Sequence, residues 1–292
     1  MTNLIGILIS LIALTLSLWE PYFSKFFETS TATSTSQVAS STATSSITIV
    51  VDKKPISSMS ANKSPTINPL QIALPVQVNI KNPLGSGWQI IWNDKGLGTA
   101  IVDTSAPFSS PIFQLKYVAG FEGGSAPASA EYLPVTGARK IHASFWWRAN
   151  ADWQGHPSNV NKLHFIFFPE EYGDMVMVIY GPPGGPYELR SALQLRKGDT
   201  RAWLRPNVGD GQISFGNWHH IEWEVSLPND EEANGVVKWW LDSNLVGDYE
   251  DINFPPGINF TAYKISPTWG GIGGMKEKDD YFWFGGVEVG TQ

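Results

Sequence analysis

Segments in which apolar and polar residues alternate recur from about residue 76 to the end of the chain, and they restrict the fold more than any other feature. A period of two places successive side chains on opposite faces of a β-strand. In "HHIEWEV" this spacing puts Ile221 and Trp223 on one face and Glu222 and Glu224 on the other. Because no helical periodicity longer than a turn or two interrupts these segments, the sequence predicts an all-β domain, a two-sheet antiparallel β-sandwich.

The composition agrees with short strands joined by turns and excludes several classes of protein. Charged residues make up 16% of the chain, which contains 13 Trp, 28 Gly and 20 Pro residues. The formal net charge of -7 argues against a general nucleic-acid-binding protein, for which a basic surface is expected. The absence of cysteine excludes disulfides and thiolate metal sites.

The first 71 residues differ in composition from the rest. Residues 4–19 are uncharged and mostly apolar, and no basic residue precedes Lys25, so they favour an uncleaved membrane-anchor helix over a cleaved signal peptide. The predicted division is a transmembrane or signal-anchor segment at 1–25, a disordered Ser/Thr-rich linker at 26–71 and the folded domain at 72–292. We expect the domain to face the exterior of a membrane, or to be secreted if the N-terminus is cleaved.

Three predicted strands turn cations away from the core: "KIHASFWWRA", "KLHFIFF" and "YELRSALQLR". In "KLHFIFF" the alternation buries Leu163, Phe165 and Phe167 and turns Lys162 and His164 outward. The other predicted outward residues are Lys140, His142, Ser144, Trp146, Arg148, Glu188, Arg190, Gln194 and Arg196. If the three strands share a sheet, they form one surface with five cations and one carboxylate. Such a surface suits an anionic polysaccharide, because arginine pairs with carboxylates and tryptophan packs against sugar rings; the alternative is an ordinary solvated face.

Two acidic segments raise the question of a metal site. His220, Glu222 and Glu224 share a strand face, but same-face neighbours lie about 7 Å apart along a strand, too far to supply three ligands to one ion. The sequence therefore predicts a structural strand that pairs with "VVKWWLD", with Lys238 available to Glu222 or Glu224. Adjacent Asp279 and Asp280 are the one candidate pair for a structural calcium ion, although adjacent acids usually mark a solvated turn. No other cofactor is expected.

The succession "FWWRANADWQGHPSNVNKLHFIFF", "LRSALQL", "GNWHHIEWEV", "NGVVKWWLDSNLVGD" and "DDYFWFGGVEVG" resembles the concanavalin A-like jelly rolls of polysaccharide lyases and related lectin modules. The likeness covers roughly residues 130–290 and is closest to the alginate, glucuronan and heparin lyase-like branch. Family members usually carry Asp-Gly at the hairpin where this chain has Asp242 and Ser243. We therefore expect a different or longer turn here.

The resemblance implies two antiparallel sheets, with a glycan lying across the concave one. In such lyases a carboxylate is neutralised, a base removes the C5 proton of a uronate, and an acid protonates the leaving oxygen. By this resemblance the base is His164, the neutralising residues are Arg190 and Gln194, and the acid is Tyr263. The expected glycan-binding residues are His142, Trp146, Arg148, Lys162, Arg196 and Trp269.

Three functions follow from these patterns. The first is a membrane-anchored surface protein that binds a polysaccharide, with an anionic uronate polymer as partner. The second is a polysaccharide lyase that cleaves such a polymer by β-elimination. The third is a structural protein of a cell or virion surface that uses the sandwich as a building block.

Overall fold

The computed structural model of the chain describes residues 76–77, 82–109, 111–228 and 234–292. All of them belong to one compact unit, Asn68–Gln292. These residues form strands and loops without an α-helix, which confirms the predicted all-β class. Among them no helix has the length and apolar character needed to cross a membrane. The predicted anchor at 1–25 and linker at 26–71 lie outside the described residues.

Two antiparallel sheets contain all fifteen strands of the described part of the chain. The eight-stranded sheet consists, in spatial order, of β1 (Val76–Gln77), β3 (Gly98–Val102), β4 (Ile112–Tyr117), β15 (Asp280–Thr291), β6 (Lys140–Ala149), β11 (His219–Ser226), β12 (Gly235–Leu241) and β13 (Asn244–Ile252). The seven-stranded sheet consists of β10 (Trp203–Leu204), β9 (Glu188–Leu195), β8 (Gly173–Tyr180), β7 (Val160–Phe167), β14 (Ala262–Ile265), β5 (Ser129–Tyr132) and β2 (Trp88–Trp92).

The alternating segments build the core between these sheets as predicted. In β11 and β12 the apolar faces are aligned, with Trp223 directly opposite Trp239, and both side chains are fully buried. Phe145 and Trp147 of β6 are buried beside them. Burying each such aromatic side chain stabilises the fold by about 2–3 kcal/mol before entropy costs. The "NWHHIEWEV" segment is therefore a structural strand.

The hairpin between β12 and β13 is tighter than predicted. Leu241 pairs directly with Asn244, so only Asp242 and Ser243 form the turn, and their φ angles are +51° and +67°. Positive φ at both central residues is the hallmark of the two-residue type I′ hairpin. The carboxylate of Asp242 accepts the backbone N–H of His220 at 2.9 Å, which holds the turn without a glycine. The expectation of a different or longer turn is wrong.

A β-bulge in β7 turns some of its side chains to the face opposite to the predicted one. Lys162 pairs with Val178 and His164 with Met177, so the pairing shifts by one residue between them. Because an extra residue in one strand flips the facing of everything beyond it, His164 points into the core, whereas Phe165 and Phe167 lie on the outer face of the sheet. The predictions that His164 faces outward and that Phe165 and Phe167 face inward are wrong.

Candidate functional site

The surface predicted from three strands is divided between the two sheets. β6 pairs with β11 and β15 in the eight-stranded sheet, whereas β7 and β9 flank β8 in the seven-stranded sheet. The two groups therefore lie on opposite sides of the sandwich: His142, Trp146 and Arg148 on one, and Lys162, Arg190, Gln194 and Arg196 on the other. The prediction of a single surface is wrong, because alternation fixes the face of a strand but not the sheet to which the strand belongs.

On the outer face of the eight-stranded sheet, the charges pair with one another. Glu224 lies opposite Lys238, but its carboxylate binds Lys140 at 2.8 Å. The ammonium of Lys238 instead contacts Asp248 at 3.1 Å and Glu250 at 2.6 Å, both on β13. The predicted pairing of Lys238 with Glu222 or Glu224 is therefore wrong, because β13 on the other side of β12 supplies nearer carboxylates.

The three predicted glycan-binding residues of β6 are also engaged by their own sheet. The guanidinium of Arg148 lies between the rings of Trp218 and Trp283, at 4.7 and 4.5 Å from their centroids, and donates to Asp103 at 3.0 Å. Trp146 packs against Phe108 and His220, and His142 lies 3.3 Å from Glu222. These contacts favour a structural role for this face.

The acidic residues considered for metal binding are satisfied by other groups. Within the described ranges no three His, Asp or Glu side chains stand close enough together to hold a metal ion. Asp279 pairs with Lys116 at 2.6 Å on the surface, whereas Asp280 is fully buried and pairs with Lys276 at 2.7 Å. Because the two carboxylates serve different lysines in different environments, they do not form a calcium site together.

Lys276 is buried in a cage of aromatic rings. Its ammonium lies 3.3 Å from the centroid of the Trp153 ring and 4.8 Å from that of Trp269, and it donates to Asp280 at 2.7 Å and to the carbonyl of Gln154 at 2.8 Å. Burial lowers the pKa of Lys276 to about 8, while Asp280 opposes that shift. Trp269 is 1% exposed, so it belongs to this core cluster and lies away from the surface predicted for it.

His164 and Tyr263, the predicted base and acid, form a buried pair beneath the seven-stranded sheet. Both are fully buried, and the Nδ1 atom of His164 lies 2.6 Å from the hydroxyl of Tyr263. The His164 ring stacks on Phe145 with 3.8 Å between centroids. Burial lowers the pKa of His164 well below its usual value and raises that of Tyr263 well above its own. The structure therefore does not bring this pair together with Arg190 and Gln194 on one face.

The outer face of the seven-stranded sheet carries a group of rings that we call the aromatic face. Its rings are Phe165, Phe167, Tyr180 and Trp203, and its floor is Val176, Val178 and Ala192. The rings of Phe165 and Phe167 are nearly parallel with centroids 5.6 Å apart, and those of Tyr180 and Trp203 are 5.2 Å apart. Val176 and Val178 point outward yet are fully buried, so the rings and neighbouring side chains close the floor.

Sequence reasoning missed this face for two reasons. Because of the bulge in β7, the alternation in the sequence does not show that Phe165 and Phe167 lie on the outer face. The run "MVMVI" in β8 is apolar on both faces, so it shows no alternation. A continuous apolar run bounded by turns is itself a signal for a strand covered on both sides.

Four of the predicted residues do meet at the aromatic face. Lys162 and Arg190 lie in register on either side of Val178, and Gln194 and Arg196 follow at the exposed end of β9. The guanidinium of Arg190 lies 3.9 Å above the Tyr180 ring and also bonds to Glu188. Lys264, from the neighbouring β14, pairs with Glu131 at 3.0 Å.

Two cations of this face, Lys162 and Arg196, form no ion pair within the described residues. Burial lowers the pKa of Lys162, while the charge of Asp174 opposes that shift. Burial raises the pKa of Asp174 to about 6, against the influence of Lys162 and Arg196. The aromatic face thus combines rings with two cations that interact with Asp174 without forming an ion pair with it.

Comparison with known proteins supports the fold. No protein-family model matches the chain, and no curated protein matches it in sequence. Among solved structures, the endo-β-1,4-glucuronan lyase of the fungus Trichoderma reesei aligns with a TM-score of 0.51 at 16% identity, over 71% of this chain and 92% of that one. Alginate lyase Aly36B aligns with a TM-score of 0.51 at 10% identity, over 74% of this chain and 95% of that one. At such low identity the likeness establishes the fold, and we conclude that the chain has the jelly roll of alginate and glucuronan lyases, as its sequence predicts.

Proposed function

We propose that the domain binds an anionic polysaccharide of the uronate class across the aromatic face. The observation that carries the proposal is the position of Lys162 and Arg196, which lack an ion-pair partner in the described part of the chain, beside four aromatic rings. Aromatic rings pack against the apolar faces of sugars, and ammonium and guanidinium groups bind carboxylates. The glucuronan and alginate lyases with the same fold act on polymers of uronates, which supports this class of ligand.

The dimensions of the aromatic face suit a chain of sugars better than a single one. Adjacent strands lie about 4.8 Å apart, so Lys162 on β7 and Arg190 on β9 are separated by about 10 Å across Val178. Along β9, Arg190 and Arg196 are about 20 Å apart. Cations spread over these distances in two directions can contact more than one carboxylate of a polymer, while the closed apolar floor supports its rings.

The proposal also covers the location of the domain. On this view residues 4–19 hold the chain in a membrane, and the Ser/Thr-rich segment 26–71 serves as a stalk. The aromatic face would then meet polysaccharide on the exterior side.

Removal of the two unpaired cations tests the proposal. We expect the full-length double variant Lys162→Gln/Arg196→Gln to bind alginate or glucuronan about 30- to 1,000-fold more weakly, because two charge-assisted contacts of about 1–2 kcal/mol each are lost. Retardation of the protein in native gels that contain alginate, glucuronan, heparin or a neutral glucan measures the effect.

The matched control is Lys140→Gln/Lys238→Gln, which removes the same charge from the opposite sheet, where both lysines are paired. This control should bind like the wild type. Equal losses in both double variants would contradict a site on the aromatic face. No retardation of the wild type in any polymer would overturn the proposal and favour the structural role.

A polysaccharide lyase is the second candidate, and one observation favours it. The lowered pKa of Lys162 increases the unprotonated fraction of its amine, the form that a general base requires, and Lys162 shares a face with Arg190 and Tyr180. In β-elimination Lys162 would take the C5 proton, Arg190 would neutralise the uronate carboxylate, and Tyr180 would protonate the leaving oxygen. These residues would replace His164 and Tyr263 in those roles.

Lys162→Arg separates catalysis from binding. Arginine keeps the positive charge but stays protonated, so it cannot act as a base. If the domain is a lyase, the wild type should produce an ultraviolet-absorbing unsaturated product, and Lys162→Arg should lower that rate by about 100-fold or more while still binding the polymer. A wild type that binds without forming this product, or a Lys162→Arg variant with full activity, would contradict this mechanism.

A further inference from the structure

A cleft of about 430 Å³ lies at the edge of the seven-stranded sheet, beside the turn that leads from β2 in this sheet to β3 in the other. Trp92 at the end of β2 and Lys95 in the turn line one side, and Phe121, Ser125 and Thr268 of two loops line the other. This volume falls within the range of about 300–1,000 Å³ typical of small-molecule sites. The lining combines an aromatic ring, hydroxyl groups and a cation.

Trp92 is aimed into the cleft by an irregularity of its strand. Ile90 pairs with Ala130 and Trp92 with Ser129, so the register shifts between them. Bulges of this kind commonly redirect a side chain at the edge of a sheet. Trp92 is 37% exposed, although every other tryptophan of the described residues is more deeply covered. An indole ring on an open wall is a surface on which a sugar can stack.

Hydrogen bonds between Asn93 and Gly98 close the turn that carries Lys95. The amide of Asn93 donates to the carbonyl of Gly98 at 2.7 Å and accepts from the N–H of Gly98 at 2.8 Å, and Gly96 closes the turn at 2.9 Å with a φ of +62°. The side chains of Asp94 and Lys95 in this turn form no hydrogen bond or ion pair with another side chain in the described part of the protein. The turn therefore fixes the backbone at Lys95, and the exposed ammonium of this residue is open to a ligand.

The opposite wall connects the cleft to the aromatic face. Gly124 donates to the carbonyl of Trp269 at 2.9 Å, and Trp269 donates to that of Ser125 at 3.0 Å, so the two loops are bonded to each other. The carbonyl of Thr268 accepts the backbone N–H of Lys162 at 3.0 Å. A backbone hydrogen bond therefore links Thr268 in the wall of the cleft to Lys162, a residue of the proposed polymer site.

We infer that this cleft is a separate subsite for one carboxylate-bearing sugar unit of the same polymer, an inference that rests on the proposed function. The Trp92 ring stacks on the pyranose, and the ammonium of Lys95 binds the carboxylate. Ser125 and Thr268 offer hydrogen bonds to sugar hydroxyls. Asp94 accepts a hydroxyl hydrogen bond and repels the carboxylate, which orients the sugar toward Lys95.

Titration calorimetry on the full-length chain with triglucuronate, trimannuronate and neutral cellotriose tests the inference. Trp92→Ala should weaken binding of a charged trisaccharide about 10-fold or more, because the sugar loses the ring on which it stacks. Lys95→Gln should remove the preference for a charged trisaccharide over cellotriose. The control Val208→Ala, which changes an apolar residue that is 56% exposed elsewhere, should bind like the wild type.

The outcomes separate the cleft from the proposed polymer site. If the wild type is retarded by a uronate polymer but binds no trisaccharide, the cleft inference is wrong and the proposed function stands. Trisaccharide binding that survives both Trp92→Ala and Lys95→Gln also overturns the inference. If the wild type binds neither polymer nor trisaccharide, the proposed function itself is wrong.

Discussion

Replacing Lys276 by methionine is expected to lower the free energy of unfolding by about 3–5 kcal/mol. The substitution removes the ammonium that pairs with Asp280 at 2.7 Å. This fully buried carboxylate then keeps the backbone N–H of Gln154 as a donor at 2.9 Å and the more distant ammonium of Lys278 at 3.8 Å. Methionine fills a similar volume among Trp153 and Trp269, so packing changes little. Urea unfolding followed by tryptophan fluorescence measures the loss.

Two further variants show whether the buried charge is the cause. Lys116→Met removes an ammonium that pairs with Asp279 at the surface, and it should cost less than about 1 kcal/mol. Lys276→Met/Asp280→Asn removes both charges and should recover much of the lost stability, because replacing a whole buried ion pair is often neutral. A loss in Lys276→Met no larger than that in Lys116→Met would show that Asp280 finds another partner or solvent.

Acidification is expected to destabilise the wild type more than a His164→Gln variant. Burial holds the pKa of His164 well below 6.5, so below pH 6.5 the unfolded chain binds a proton that the folded chain excludes. The contribution of this group is fully present above pH 6.5 and is lost as the pH falls. Between pH 6.5 and pH 5 the difference between the two proteins should reach up to about 2 kcal/mol. Glutamine can still bond to the hydroxyl of Tyr263.

The difference between the two proteins is the informative quantity, because other groups titrate in the same range. Asp174, with a pKa raised to about 6, contributes in the opposite direction: the folded chain holds its proton more tightly, so its contribution grows as the pH falls. This effect is common to both proteins and cancels in the comparison. If the free energies of unfolding of the two proteins fall in parallel with pH, the folded state binds a proton at His164 as readily as the unfolded state does. Because His164 is buried and stacks on Phe145, loss of activity in a His164→Ala variant would indicate damage to the core rather than loss of a catalytic base.

The parts of the fold that depend on local pattern could be predicted from the sequence. The alternation in β6, β11 and β12 correctly assigns Phe145, Trp223 and Trp239 to the core, because each of these strands keeps its period over the segments that carry those residues. The resemblance to lyase jelly rolls correctly gives the two-sheet architecture. Both signals belong to single strands or to their order along the chain.

The candidate site depends on features that no single strand contains. Whether Arg148 and Arg190 share a face depends on which strands pair, and their strands belong to different sheets. The facing of His164 depends on a bulge that only the pairing with β8 reveals. Lys276 lies in "GMKEKDD", a segment with the composition of a solvated turn, yet tertiary packing buries it beside Trp153. Local composition carries no sign of such burial.

The bulge in β7 also bears on how this surface can change during evolution. The residues of β7 before the bulge pair with β8 in one register, and those after it pair in a register shifted by one residue. The side chain of Lys162 and those of Phe165 and Phe167 therefore reach the outer face independently of each other. A substitution changes one of these groups at a time. Gain or loss of a single codon at the bulge would instead exchange whole sets of side chains between the interior and the ligand side. Insertion and deletion are therefore the mutational steps by which a histidine of this strand could move between the core and the outer surface.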